Sequence, residues 1–233
     1  MTAIAPITSA SRGAGDVFAA EHPEMTVARF EVDCYQNSPD FAAPDDVRIR
    51  EGRQIAQAFH ESLRAQRPDV VMVGRESFAW HVPDLAEAHA IPSILLIQGS
   101  TTFGICNGSI PGAHARALLD KYRKVDEMIV VAGHLQERLR TLGFTRTTAI
   151  PNPVDLDKFC PQRKDAGLLR HLAISDGESV VVHASNLKKL KRPLDLVAAA
   201  SEVIGCRPNV VFVIAGDGNY RQAMEDSCRE RGI

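Results

Sequence analysis

The segment Ser179–Pro193, SVVVHASNLKKLKRP, places four cations, Lys188, Lys189, Lys191 and Arg192, between an apolar β-branched run and a proline. Cations beyond the carboxyl end of a buried strand, next to a helix start, suit a phosphate or diphosphate, because charge-assisted donors and the helix dipole act on the same anion. Ser185 and Asn186 add short polar groups at the same mouth. A solvated basic loop explains the residues equally well on chemistry alone. In VVFVIAGDGNY, Gly216, Asp217 and Gly218 form a tight strand-to-helix turn that lets a ligand approach the backbone. The dinucleotide pattern G-x-G-x-x-G is not completed, since Arg221, Gln222 and Ala223 follow. The motif also lies at the far end of the chain rather than in a first βα unit, which disfavours a dehydrogenase. A third stretch, ILLIQGSTTFGICNGSIP, runs from a strand into Gln98, Gly99 and Ser100, then a loop with Gly104, Gly108 and Gly112. Such a long small-residue loop is either the wall of a second substrate site or a plain mobile connection.

Other residues carry less. Gly13 and Gly15 make another G-x-G and read as a plain loop. His183, among valines, reads as a satisfied core histidine, and His134 falls in the first turn of a helix. Arg75 and Glu76 follow a strand and either reach a cleft or form a surface ion pair. Cys106 has no partner that would make it a nucleophile. No His, Asp and Glu cluster has metal-ligand spacing, so no metal is expected.

Positioning these residues requires strands that end where the polar groups begin. Short β-branched runs at Val27–Val32, Val70–Val73, Ile94–Ile97, Met128–Val131, Thr147–Ile150, Ser179–Ala184 and Val210–Ala215 predict strands, with a further candidate at Thr2–Ala5. Several are apolar at nearly every position, the pattern of parallel strands covered on both faces. Amphipathic stretches at Asp46–Gln66, Ala113–Arg123, His134–Leu142, Pro193–Ile204 and Tyr220–Arg231 predict the helices between them. The alternation implies an α/β fold with doubly wound parallel sheets. In IPNPVDLDKF, Pro151 and Pro153 flank Asn152 and forbid a helix. This is the expected crossing between two Rossmann-like domains, residues 1–150 and 151–233, with an ordinary surface loop as the alternative.

Composition narrows the class. The chain has 233 residues, 45% of them hydrophobic and 24% charged, which excludes disorder. A net charge of −2 gives no mark of a nucleic-acid or acidic-membrane binder. Five cysteines, an odd number without a C-x-x-C pair, argue against a disulfide scaffold or zinc ribbon and for a reducing compartment. The apolar runs are too short for a membrane helix, no signal peptide is visible, and no basic amphipathic helix stands out. A cytoplasmic protein without membrane association is expected.

Four segments in order resemble the retaining glycosyltransferases of family four (the glycosyl transferases group 1 domain). MIVVAGHLQERL is similar to the last strand–helix unit of the acceptor lobe, and IPNPVDLDKF to the interdomain I-P-N-G-V-D-x-x-x-F. SVVVHASNLKKLKRP stands where the family has a strand and G-R-L-x-x-x-K-G, and VVFVIAGDGNYRQAME is similar to L-x-I-x-G-x-G-x-x-R-x-x-L-E. The resemblance runs from about Pro68 to Ile233. It implies the GT-B fold, two Rossmann-like domains facing across a cleft, with the second incomplete and the first lacking its first βα unit. It also implies sugar transfer from a nucleoside-diphosphate sugar to an acceptor hydroxyl with retention, and no cofactor. Lys191 falls on the family's diphosphate-binding lysine, and Asn186 on its usual arginine. Ser185 and Arg192 replace two glycines, a variant similar to that of the glucosaminyl-malate synthase branch. Gly216, Asp217 and Gly218 become a donor-side loop, Gly99 and Ser100 an acceptor-side loop. Gln98 falls where many members carry a histidine near the reacting sugar; glutamine has no titratable group and is confined to hydrogen bonding. The family's E-x7-E pair is missing, since no two glutamates stand eight positions apart, and truncation at both ends is expected. The alternatives are a non-catalytic fragment or nucleotide-binding remnant, and then a GT-B epimerase or phosphorylase.

Overall fold

β-branched runs too short to be stable alone find neighbours in parallel register in the computed structural model. It describes the backbone of residues 2–7, 26–31 and 45–233, and side chains from residue 49 onward except residue 77. The Gly13–Gly15 motif and the expected strand end at Val32 lie outside the described residues. The first strands, β1 (Thr2–Ile7) and β2 (Thr26–Glu31), pair in parallel from Thr2 opposite Thr26 to Ile7 opposite Glu31. A four-stranded parallel sheet follows in sequence order: β3 (Val71–Val73), β4 (Ser93–Ile97), β5 (Glu127–Val130) and β6 (Thr147–Ala149).

The chain divides into two compact units, Met1–Val154 and Asp155–Ile233, so the division falls inside IPNPVDLDKF. In the first unit the helices are α1 (Asp45–Ala65), α2 (Val82–Ala88), α3 (Ser100–Cys106), α4 (Gly112–Tyr122) and α5 (Gly133–Thr141). Leu95 and Ile97 of β4 and Val130 of β5 pack with Leu118 and Tyr122 of α4 and Leu135 and Leu139 of α5 in one core. Burying each such aliphatic side chain stabilises the fold by about 1.5–3 kcal/mol. Gly143, at φ +87°, ends α5 in the left-handed conformation expected of a glycine past a helix.

The second unit holds α6 (Ala166–His171), β7 (Ser179–Ala184), α7 (Pro193–Cys206), β8 (Val210–Ala215) and α8 (Arg221–Arg231). β7 and β8 pair in parallel from Ser179 opposite Val210 to Ala184 opposite Ala215. Leu187, Val197 and Met224 form its core. β7 departs from expectation, because Val181 and Val182 are 41% and 65% exposed rather than covered on both faces. The sheet here is two strands wide, and the unit's buried contacts lie at the strand end and between the helices instead.

Sequence periodicity missed the short elements. Asp165 caps α6 through Oδ1, which accepts from the Gly167 and Leu168 amides at 2.7 and 3.0 Å. A 3-10 turn at Glu76–Trp80 and α2 follow β3, and α3 replaces much of the loop expected after β4.

Candidate functional site

The polar groups singled out by spacing fall at the carboxyl ends of parallel strands in both units, where open α/β sheets bind ligands. In the first unit β4 ends at Ile97 and the exposed Gln98 follows. The Gln98 Nε2 donates to the Gly74 carbonyl, just beyond β3, at 3.3 Å. Gly99 is left-handed at φ +108°, and a Cβ there would lie 3.0 Å from the Leu135 side chain. Ser100 is exposed and is the first residue of α3. The expected small-residue loop therefore begins as a helix whose Thr101 and Thr102 are buried.

The reason for that helix is Glu76. Its carboxylate accepts from the Gly99 amide at 2.9 Å, the Thr102 amide at 3.0 Å and the Thr102 hydroxyl at 2.9 Å. The Tyr122 hydroxyl adds a longer contact at 3.4 Å. Glu76 is 4% exposed, so it is a buried cap reaching over from the β3 side and not half of a surface ion pair. Burial and the neighbouring Glu76 charge push the Tyr122 hydroxyl well above its ordinary pKa, keeping it a neutral donor. A sequence signal for this exists in hindsight. Gly99 precedes a helix start with no Ser, Asp, Asn or Thr side chain capping it, so its free amides need an acceptor from elsewhere. Next to this turn, Phe103 stacks on His134 in the first turn of α5, ring centroids 5.6 Å apart.

In the second unit the ladder continues past β7 and β8 as a clasp. The Ser185 amide donates to the Ala215 carbonyl at 3.1 Å, the Leu187 amide to the Asp217 carbonyl at 2.9 Å, and the Tyr220 amide to the Leu187 carbonyl at 3.0 Å. Gly216 (φ +148°) and Gly218 (φ +158°) face this clasp. A Cβ on Gly216 would sit 1.9 Å from the Ser185 carbonyl oxygen, and one on Gly218 within 2.9 Å of three Leu187 backbone atoms. The glycines expected to admit a ligand thus have an internal requirement: the chain's own backbone fills the space. Asp217 is exposed and its Oδ1 accepts from the Gly218 amide at 2.8 Å.

The clasp leaves the cations outside. Lys188, Lys189 and Lys191 are exposed, and among the described residues no carboxylate pairs with any of them. Lys189–Lys191 form a 3-10 turn in which the Lys191 amide donates to the Lys188 carbonyl at 2.8 Å. Arg192 differs, because its Nε is paired with Asp195 one turn into α7. It is left-handed (φ 50°, ψ 50°), a conformation glycine adopts freely, at a position where the resembled family carries glycine. Pro193 opens α7 as expected, and no side chain caps that helix start. Ser185 is half-buried and its Oγ bonds the His183 Nε2 at 2.8 Å, so His183 has the expected partner but is half-buried rather than a core residue. Asn186 is exposed. Among the described residues no group of three or more His, Cys, Asp or Glu could hold a metal ion, and no helix is long and apolar enough to cross a membrane.

Parallel strands joined by helices in two units, with polar turns at the strand ends, are the architecture of the GT-B glycosyltransferases, and the chain has that α/β fold. It is similar over 97% of its length to the Anabaena protein HepE solved in complex with UDP-glucose, with a TM-score of 0.72, 16% identity and 58% of that chain covered. In sequence it is 31% identical over 104 residues to a GDP-mannose-dependent alpha-(1-6)-phosphatidylinositol dimannoside mannosyltransferase of Mycobacterium tuberculosis. It is 29% identical over 115 residues to an alpha-galactosylglucosyldiacylglycerol synthase of Streptococcus pneumoniae. These matches take in 43% and 48% of the chain but only 26% and 30% of the two relatives. No protein-family model matches the chain.

Proposed function

We propose that the protein is a cytoplasmic glycosyltransferase. It moves a hexosyl or N-acetylhexosaminyl group from a nucleoside-diphosphate sugar to the hydroxyl of a small-molecule, glycan or lipid-linked acceptor, with retention and without a cofactor. Residues 151–233 take the donor and residues 1–150 present the acceptor side. The observation that carries this reading is the set of exposed lysines with no carboxylate partner among the described residues, at the end of a parallel strand and before an uncapped helix start. The likeness to a mannosyltransferase and a glycolipid synthase, and to a fold solved with UDP-glucose, supports it.

In the reaction the bond between the anomeric carbon and the β-phosphate oxygen breaks, the acceptor oxygen bonds to that carbon, and the acceptor hydroxyl's proton passes to the departing diphosphate oxygen, on which negative charge develops as it leaves. Lys191, with Ser185, Asn186 and Arg192 beside it, stabilises that charge as it develops, which is electrostatic catalysis. A charge-assisted contact of this kind contributes about 1.5–3 kcal/mol, or about 10–100-fold in affinity or rate. Gln98 orients a sugar or acceptor hydroxyl by hydrogen bonding and cannot carry its proton.

Lys191→Ala is expected to weaken UDP and GDP binding, and to slow turnover of UDP-glucose or GDP-mannose, by about 10–100-fold. Its unfolding midpoint should not move, because the side chain is exposed. Calorimetry and a donor-turnover assay measure both. Unaltered nucleotide affinity removes Lys191 from the site. Tight binding with no turnover of any donor replaces the enzyme by a nucleotide-binding protein.

A further inference from the structure

We infer that Glu76 is a positioning residue: its buried carboxylate holds the turn that presents Gln98 and Ser100 on the acceptor side. The consequence for turnover rests on the glycosyltransferase reading above; the clamp itself does not. An ordinary helix start is capped by the residue just before it. Here the acceptor lies 23 residues earlier and past the end of the neighbouring strand, so the cap ties β3's end to β4's end. Oε2 takes the Gly99 amide, while Oε1 takes both the amide and hydroxyl of Thr102. Gly99 is thereby fixed at φ +108° between Glu76 and Leu135.

Gln98 is caught in the same tie. It immediately precedes Gly99, and its side chain reaches the Gly74 carbonyl, two residues before Glu76. Backbone and side chain of the Gln98 turn are therefore both referenced to the segment Gly74–Glu76. If that tie loosens, an exposed glutamine amide with many rotamers loses its fixed direction. An internal carboxylate on this helix start also cancels its pull on an external anion, leaving the turn suited to a neutral hydroxyl.

Glu76→Gln keeps the volume but turns one acceptor oxygen into a donor facing amide hydrogens that then lack a partner. Amide hydrogen exchange at Gly99 and Thr102 is expected to speed up by about tenfold or more. Exchange in α8 of the second unit, Arg221–Arg231, should not change. With donor and acceptor supplied, kcat is expected to fall about tenfold while donor KM and UDP or GDP affinity stay put, because donor binding belongs to the other unit. The losses from Glu76→Gln and Gln98→Ala should be far from additive when combined, the mark of one residue acting through the other. Thr102→Val, which deletes only the hydroxyl donor, is expected to give the same kcat pattern more weakly and keeps the inference testable where Glu76→Gln does not fold. Unchanged exchange at Gly99 overturns the clamp. Faster exchange with unchanged kcat, or strictly additive losses, reduces Glu76 to a helix cap. A wild type that turns over no donor sinks the glycosyltransferase reading, while exchange at Gly99 and the side-chain amide resonances of Gln98 still decide whether Glu76 holds the turn.

Discussion

The turn after β4 and the turn after β7 face the same task, presenting polar side chains beyond a parallel strand, and they solve it with different parts of the chain. After β4 a buried side chain does the holding: Glu76 gathers the Gly99 and Thr102 amides. After β7 the backbone holds itself, through the Ser185, Leu187 and Tyr220 amides and two glycines that leave room for the approach. The difference teaches where structure and chemistry are separable. In the second unit Lys188, Lys189 and Lys191 carry no structural hydrogen bond through their side chains among the described residues, so replacing them tests ligand binding cleanly. In the first unit the fastening and the presented residues are neighbours, and a substitution disturbs both.

The sharpest break in that comparison is Gly216→Ala. A methyl group 1.9 Å from the Ser185 carbonyl oxygen, on a residue at φ +148°, cannot be accommodated without opening the clasp. A loss of about 3 kcal/mol or more is expected, read as a lower denaturant midpoint in a probe of the second unit. Gly133→Ala is the control from the first unit. Nothing lies within 4 Å of its added methyl, and in the first turn of α5 alanine should be neutral or stabilising by up to about 1 kcal/mol. Equal, small effects at both sites would remove the claim that the clasp depends on glycine.

Much of this architecture was legible because it depends on local pattern. The strands at Ser179–Ala184 and Val210–Ala215 fall where the apolar runs put them. Pro193 opens its helix and Gly143 closes another, since the proline ring fixes φ and glycine, without a Cβ, accepts the left-handed conformation. The placement of the candidate donor-side residues was legible too, since Ser185, Asn186, Lys191 and Arg192 stand between an apolar run and a helix-opening proline; their part in donor binding is the proposal above. What stayed hidden depends on contacts across strands. α3 was invisible because its cap lies 23 residues away, and the small, β-branched Ser100-Thr101-Thr102 start reads as loop without it. The internal demand on Gly216 and Gly218 stayed hidden because the Ser185–Leu187 backbone reaches them only through strand pairing. The exposure of Val181 and Val182 stayed hidden because a continuous apolar run reports a strand that can be covered on both faces, not whether anything covers them.

A milder test concerns the one strained residue among the cations. Arg192 is left-handed at φ 50°, which costs a residue with a Cβ about 1 kcal/mol. Arg192→Gly relieves that strain but loses the Asp195 pair and gains chain entropy when unfolded. The expected net is a stabilisation below about 1 kcal/mol, with weaker nucleotide binding. Arg192→Ala keeps the strain and loses the pair, so it should be slightly destabilising. If both variants shift the unfolding midpoint equally, the backbone conformation at 192 contributes nothing to stability.

The smallest effect expected is a pH dependence confined to the first unit. Asp84 of α2 pairs with Lys121 of α4 and, at 2.8 Å, with Lys124, which also meets Glu87 at 2.7 Å. Partial burial pushes the Asp84 carboxyl up, but the hydrogen bonds and charges of the two lysines outweigh it and hold its pKa below the ordinary 3.8. A carboxyl depressed in the folded state contributes stability that is fully present above the unfolded value and is lost as pH falls through the folded one. The stability gap between wild type and Asp84→Asn should therefore be constant from neutral pH down to about 5 and close below 3.8. A gap that stays open well below 3.8 would mean that the Asp84 charge contributes nothing to the link between α2 and α4, and the contrast between a side-chain-fastened first unit and a backbone-fastened second would then rest on Glu76 alone.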